Sequence, residues 1–434
     1  MSLQENEAIF QSLRFGTVPE SGHKAFAVGI ERQLKEIERN LDIAQSGEGV
    51  CKFYRGDYGC GKTFLAKLTI QMALERNFAT SLVVVSPNDT RFHLFDEVYL
   101  KIVNGLKTSR SKGGALADCI DKWIGKIEVQ LEKEGNDPDA DKFDQKIKDR
   151  FEIELAEVIK EEAGRDFVTV LRAYFDTKQK GDIATANGLL SWIAGSKNIS
   201  ASIKRNAGIK GEISSVSALT YLKGILAIIK RAGHPGLIIV VDEMETILRD
   251  RRDVRERSMN GLRQIIDAHP TYKSLLWVFT GTPAFFDTNK GVAGLAPLHD
   301  TIRFQEPQGS FVNYRQPQLQ LERFNEQRLQ EVAVRLRDIY PSSNKARLNE
   351  KVNSSFIEKL AKKVSEGLKG NMGVVPRHFF REFVNILDQV EDNEDYNPDV
   401  IYKFPSTELI AQDKEYLNAE PIMDSKEDGS YLVY

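Results

Sequence analysis

Short apolar runs and helically spaced apolar positions alternate along the chain. Cys51–Arg55, Thr80–Val85, Gly236–Val241 (GLIIVV) and Ser274–Phe279 (SLLWVF) are brief, nearly continuous runs, the pattern of strands buried on both faces. Thr301–Gln305 reads as a shorter strand. Phe64–Glu75, between the first two runs, sets Leu65, Leu68 and Met72 on one side of a helix. Strand, loop, helix, strand is a βαβ unit and predicts a parallel sheet. Ahead of it, Gly16 and Pro19 mark a turn in a short lead-in, and Glu31–Ala44 carries Leu34, Ile37, Leu41 and Ile43 at near-helical spacing.

From about Leu106 to Arg231 the β-branched runs disappear and apolar residues recur at helical spacing, as in Phe151, Leu155, Val158 and Ile159. Gly135–Lys142 (GNDPDADK) breaks this stretch into at least two helical pieces. It reads as a helical insertion between two strands, either a surface decoration or a binding element. Phe324–Tyr340 and Ser355–Val390 are again helical, with Pro341 and Pro376 at boundaries. The expected organisation is an α/β core from 49–105 and 232–315, preceded by a lead-in and helix at 1–48. The insertion is 106–231, a helical lid 316–392, and an irregular tail 393–434.

Composition narrows the class. The chain has 434 residues, of which 41% are hydrophobic and 28% charged, as in ordinary globular proteins. A formal net charge of −3 gives no global positive field, so any nucleic-acid contact must come from a local patch. Cys51, Cys60 and Cys119 have neither zinc-type spacing nor an even count for a disulfide framework. With no signal-peptide pattern, they suggest a cytoplasmic protein. No apolar run approaches the roughly 20 residues that span a bilayer, so no membrane partner is expected.

The candidate chemistry begins after the first strand. Gly56-Asp57-Tyr58-Gly59-Cys60-Gly61-Lys62-Thr63 matches G-x-x-x-x-G-K-[ST] in full, between a strand and a helix, with Phe64 next in the cradle. Glycines let backbone N–H groups converge on phosphates, and the helix N-terminus adds partial positive charge. Lys62 would reach the β- and γ-phosphates of ATP and Thr63 would ligate Mg²⁺. Leu237–Val241 then delivers Asp242-Glu243 at a strand's carboxyl end, where open α/β sheets bind ligands. Asp242 is the metal candidate and Glu243 the general base, with Glu245 a weaker alternative; an exposed acidic turn is the plain reading.

Thr280, at the tip of the next apolar strand, is the candidate sensor of the γ-phosphate, with Thr282 second; both are also ordinary turn residues. Arg303 could act as a finger across a subunit interface and Arg377 within its own subunit, or each as a surface ion pair. The run Arg249–Arg257 alternates in sign, which fits a solvated salt-bridged helix as well as a DNA or subunit contact. Lys204, Arg205 and Lys210 form a thinner basic cluster.

Together these residues resemble the AAA+ ATPases of the origin-recognition and initiator branch. Ala27-Val28-Gly29-Ile30-Glu31 is similar to the short motif those proteins carry before the P-loop, with isoleucine where that branch usually has arginine. A closer resemblance is to the ATP-binding proteins of BREX phage-defence systems, the smaller D component in particular. It rests on Leu13–Pro19 (LRFGTVP), Tyr54–Phe64 (YRGDYGCGKTF), Leu189–Trp192 (LLSW), Val241–Glu245 (VDEME) and Pro376–Phe380 (PRHFF), and spans roughly residues 8–390. The resemblance implies an AAA+ P-loop NTPase with a parallel-sheet core, encoded in a prokaryotic defence island. Implied partners are further copies of the chain, or defence subunits such as a helicase or methyltransferase. Initiator-type proteins follow the lid with a winged helix, whereas the stretch after Val390 looks short and irregular. Any contact with duplex DNA is therefore expected from the insertion or from Arg249–Arg257. Two functions remain open: an ATP-hydrolysing motor stimulated by DNA or assembly, and a slow switch that exchanges partners between its ATP and ADP states. A metabolic kinase is disfavoured, since no acceptor site is evident.

Overall fold

The computed structural model describes residues 2–209, 211–309, 311–367 and 375–403. Two compact units emerge: Ile30–Gly56 with Gly61–Leu321, and Met1–Gly29 with Asp57–Cys60 and Glu322–Tyr434. The first is built on five strands, β1 (Val50–Arg55), β2 (Ala79–Val84), β3 (Leu237–Asp242), β4 (Leu275–Gly281) and β5 (Gln318–Gln320). They lie all parallel in the order β2-β3-β4-β1-β5. Every residue of β3 and β4 is buried, which is why these strands read as unbroken apolar runs. Phe53, Trp277 and Phe279 stack over this sheet, with ring centroids 5.3 and 5.6 Å apart.

Thr301–Gln305 is not a strand. Ala296–Ile302 is a helix with proline in its first turn and Leu298 and Ile302 buried one turn apart. Its i, i+4 apolar pair and Pro297 outweigh the short alternation that follows. The edge of the sheet is instead β5, so the sheet continues to residue 320.

Helices fill the stretch between β2 and β3, the longest being Leu116–Lys133, Phe143–Lys160, Arg165–Gln179 and Ser215–Arg231. Phe151 sits at their centre, 4.9 Å from Trp123 and 4.5 Å from Phe175 by ring centroid, in one buried cluster with the sheet residues. No described helix is long and apolar enough to cross a membrane.

In the second unit, Leu3–Arg14 is a helix within what reads as a lead-in. Ser2 and Glu5 form a capping box, and Ile9, Phe10 and Leu13 are buried. Arg14 clamps Asp388 with two 2.7 Å bonds, and Phe10 meets Tyr340 edge-on at 4.9 Å. Glu326–Ile339, Lys345–Lys351, Ser354–Gly367 and Val375–Asp392 complete its larger helices. Lys210 and the tail from residue 404 lie outside the described residues.

Candidate functional site

β1 runs directly into the loop that begins at Gly56, and the helix Lys62–Glu75 follows with Gly61 as its N-cap. Gly59 and Gly61 have φ of 73° and 96°, left-handed values that a Cβ would strain. The first N–H groups of that helix have no intrahelical partners and favour an anion. Register decides what meets this loop. Val241 pairs with Phe279 and Arg55 with Gly281, so Asp242, Thr280 and Gly56 share one edge of the sheet. The Gly56 N–H donates to the Gly281 carbonyl at 3.1 Å.

Asp242 is the hub of that edge and is 2% exposed. Thr63 Oγ1 donates to its Oδ2 at 2.9 Å, and Thr280 Oγ1 donates to its Oδ1. The Glu243 N–H donates to both Asp242 Oδ1 and Thr280 Oγ1 at 3.1 Å. Thr280 thus touches the acid and holds the backbone of the next residue, while Thr282 precedes the short helix Pro283–Asp287.

Glu243 is exposed and has φ of 64°, outside the regions a glutamate ordinarily adopts. Such backbone strain costs about 1–3 kcal/mol and persists where surrounding structure enforces it, often at working sites. Although the residue reaches solvent, partial loss of hydration beside the strand ends, then the charges of Asp242 and Glu245, raise its carboxyl pKa.

Glu245, the weaker candidate for the base, pairs with the lysine of the phosphate loop. Its Oε1 lies 3.3 Å from Lys62 Nζ, and that ammonium also donates to the Gly56 carbonyl at 3.0 Å. Glu245 Oε2 is buried with no hydrogen-bond partner among the described residues. Burial pushes the Glu245 pKa up, with Lys62 opposing the rise. A carboxyl with a raised folded pKa gives its stabilisation below the unfolded pKa and loses it as pH rises through the folded value. Glu245→Gln removes this titration but also leaves the buried Lys62 ammonium without its counter-charge. The variant is therefore expected to flatten the acid dependence of the melting temperature of the nucleotide-free protein without raising it at neutral pH. Scanning fluorimetry across pH reads both, and a variant as acid-dependent as wild type would contradict this.

The crown of the loop belongs to the second unit. There Asp57 accepts a 2.6 Å bond from Arg323 Nε, Tyr58 is exposed and Cys60 buried. Phe64, in the first unit, is half-buried. Arg303 is exposed at the end of the helix Ala296–Ile302 and takes no part in the Asp242 network among the described residues. Arg377 is in the second unit, where its side chain packs on Gly16.

Arg55 escapes sequence reasoning. It is 7% exposed, bonds Asp287 at 2.6 Å and Gln320 at 2.9 Å, and has Phe304 and Phe286 rings 5.1 and 5.9 Å from its guanidinium. It pins the strand end immediately before Gly56. A cation at the end of a largely apolar strand, which also carries Lys52, is the local signal that could have flagged it.

A family model described as BREX system ATP-binding protein BrxC/D matches residues 1–406. The chain belongs to that family. Membership carries an ATP-binding role in BREX phage defence, in accord with the resemblance on the phosphate loop and the VDEME segment. A search of curated proteins finds no match.

Proposed function

We propose that this chain is an AAA+ P-loop ATPase that hydrolyses ATP with Mg²⁺ within a BREX assembly. The observation that carries the reading is Asp242, held by Thr63 on one oxygen and Thr280 on the other, with Glu243 next to it. The separation of the loop strand β1 from the carboxylate strand β3 by β4, with a polar residue at the β4 tip, supports AAA+ over a simpler P-loop arrangement.

The donor set suits Mg²⁺: one hydroxyl and one carboxylate, both hard oxygens, leaving room for water and phosphate. When bound, that ion would neutralise charge developing on the β- and γ-phosphate oxygens. Lys62 leaves Glu245 to bond those oxygens, and Glu243 accepts a proton from the attacking water. Thr280 keeps Asp242 and the Glu243 backbone in register. Arg303 or Arg377 would supply the finger, the first from a neighbouring copy. We place the protein in the cytoplasm of a prokaryote, acting on duplex DNA or on a DNA-processing partner such as a helicase or methyltransferase.

The Lys62–Glu245 pair favours a second reading, a slow nucleotide switch, because it gives the lysine a stable position without ATP. Steady-state ATPase assays across protein concentration, with and without duplex DNA, separate the two. Turnover that rises with either supports the motor. Tight ATP binding with negligible turnover throughout supports the switch. If Glu243 is the base, kcat/KM falls as pH drops through its raised pKa in the free protein, so that acid limb lies above the ordinary carboxylate range. A limb at pH 4 or below would remove Glu243 from that role.

A further inference from the structure

At the end of β3 opposite Asp242, three segments converge on one histidine. His234 is 4% exposed, and its Nδ1–H donates to the Asn77 carbonyl at 2.7 Å. Its Nε2 therefore carries the lone pair, and Lys122 Nζ donates to it at 3.5 Å. Lys126 lies one turn along the same helix, with its Nζ where a side chain on Gly233 would collide. Asn77 in turn accepts from Ser109 Oγ at 3.4 Å, next to Arg110. Burial, then the Asn77 contact against Lys122, Lys126 and Arg110, sets a net downward shift on His234, keeping it uncharged among three cations.

Arg110, Lys112, Lys122 and Lys126 form no ion pair among the described residues, although the chain is acidic overall. The arginines that attract notice in the sequence differ. Arg252 pairs with Glu256 at 2.9 Å, Arg257 with Asp253 at 3.2 Å, and Arg263 with Asp267 at 3.4 Å. Lys204 is likewise paired, with Glu212 at 3.3 Å. Positive charge gathered without ion pairs repels itself, and a bound polyanion relieves that cost.

We propose that Arg110, Lys122 and Lys126, gathered around His234, form a binding site for the phosphodiester backbone of nucleic acid. The surrounding chemistry favours phosphate over a protein surface. Thr108–Gly114 (TSRSKGG) is built of small residues that let a phosphate approach the backbone, and its Lys112 and Gly113 N–H groups have no internal hydrogen bond among the described residues. Protein interfaces are instead rich in aromatic residues and poor in lysine. Such a site reads no bases and gives salt-dependent, sequence-independent binding. It supplies the DNA part of the proposed function with an address and rests on that part alone, since the nucleotide loop lies at the other edge of the sheet.

Fluorescence anisotropy with short labelled duplex DNA, single-stranded DNA and RNA tests it, on full-length protein over a range of salt. Arg110→Glu/Lys122→Glu/Lys126→Glu is expected to weaken the preferred nucleic acid at least tenfold and to reduce the log–log salt slope by about three. Arg110→Ala/Lys126→Ala changes only exposed side chains and should give about two of those three units. Arg252→Glu/Arg257→Glu should leave binding within about twofold, as those arginines are already neutralised. ATP affinity, measured in parallel, should be unchanged in all three. Unaltered nucleic-acid binding in the folded double variant overturns the site. Displacement by polyglutamate as readily as by DNA overturns the nucleic-acid assignment in favour of an acidic protein partner. Absent ATP binding in the wild type would instead strike the nucleotide reading and leave this one standing.

Discussion

Glu243→Gln is expected to lower steady-state ATP turnover by about 10²-fold or more while leaving ATP affinity within about twofold. The amide keeps the size and hydrogen-bonding capacity of the side chain but cannot accept the proton of the attacking water. The ground-state contacts survive, because Lys62, Thr63 and the loop backbone do not involve the Glu243 carboxyl. Asp242 also keeps its two hydroxyl donors. The substitution does not relieve the φ of 64°, so loss of activity is not confounded with a relaxed backbone. Turnover by a coupled phosphate assay, with affinity from a fluorescent ATP analogue, separates the two effects. Unchanged turnover moves the base elsewhere, and lost affinity makes Glu243 a binding group.

Lys52→Ala is expected to cost about 3–5 kcal/mol of stability, the usual penalty for orphaning one member of a buried ion pair. Lys52 is 2% exposed in β1 and pairs with Glu36 at 2.7 Å from the helix Glu31–Gln45. The same ammonium donates to the Tyr314 and Gln316 carbonyls at 2.8 Å, so its three protons are used. Removing it leaves a carboxylate that is only 5% exposed with Arg39, 3.4 Å away, as its remaining cation, and strands two carbonyls that lead into β5. Burial lowers the lysine pKa, and Glu36 opposes only part of that fall. Replacing both partners, as Lys52→Met/Glu36→Leu, should recover much of the loss, because the charges pay their own desolvation. Urea unfolding of both singles and the double closes the cycle. A double variant as unstable as Lys52→Ala would mean the lysine acts through its carbonyl contacts alone.

Local pattern was enough for much of the architecture. The βαβ unit around residues 51–85, the strands at 236–241 and 274–279 and the helical character of 116–231 follow from side-chain periodicity and steric preference, which are properties of neighbouring residues. The phosphate loop is equally local: its glycines occupy left-handed conformations within a few residues of chain. Where competing local signals coexist, one reading failed, as at Ala296–Ile302, where a proline-led helix replaces an expected strand. The Ser2–Glu5 capping box was also legible, but short enough to overlook.

The tertiary structure alone decided which distant residues meet. Thr63 reaches Asp242 across 179 residues, and Thr280 reaches it across 38, because parallel strands are ordered by packing and not by sequence. Periodicity states which face a side chain takes but not which neighbour stands opposite. For that reason the pairing of Glu245 with Lys62 was not legible, nor were Arg55 and Lys52 as buried anchors. The same limit explains the charges. Sequence drew attention to arginines whose acids lie one helical turn away and neutralise them, while cations from two segments, the 108–114 loop and the helix Leu116–Lys133, gathered without ion pairs around His234.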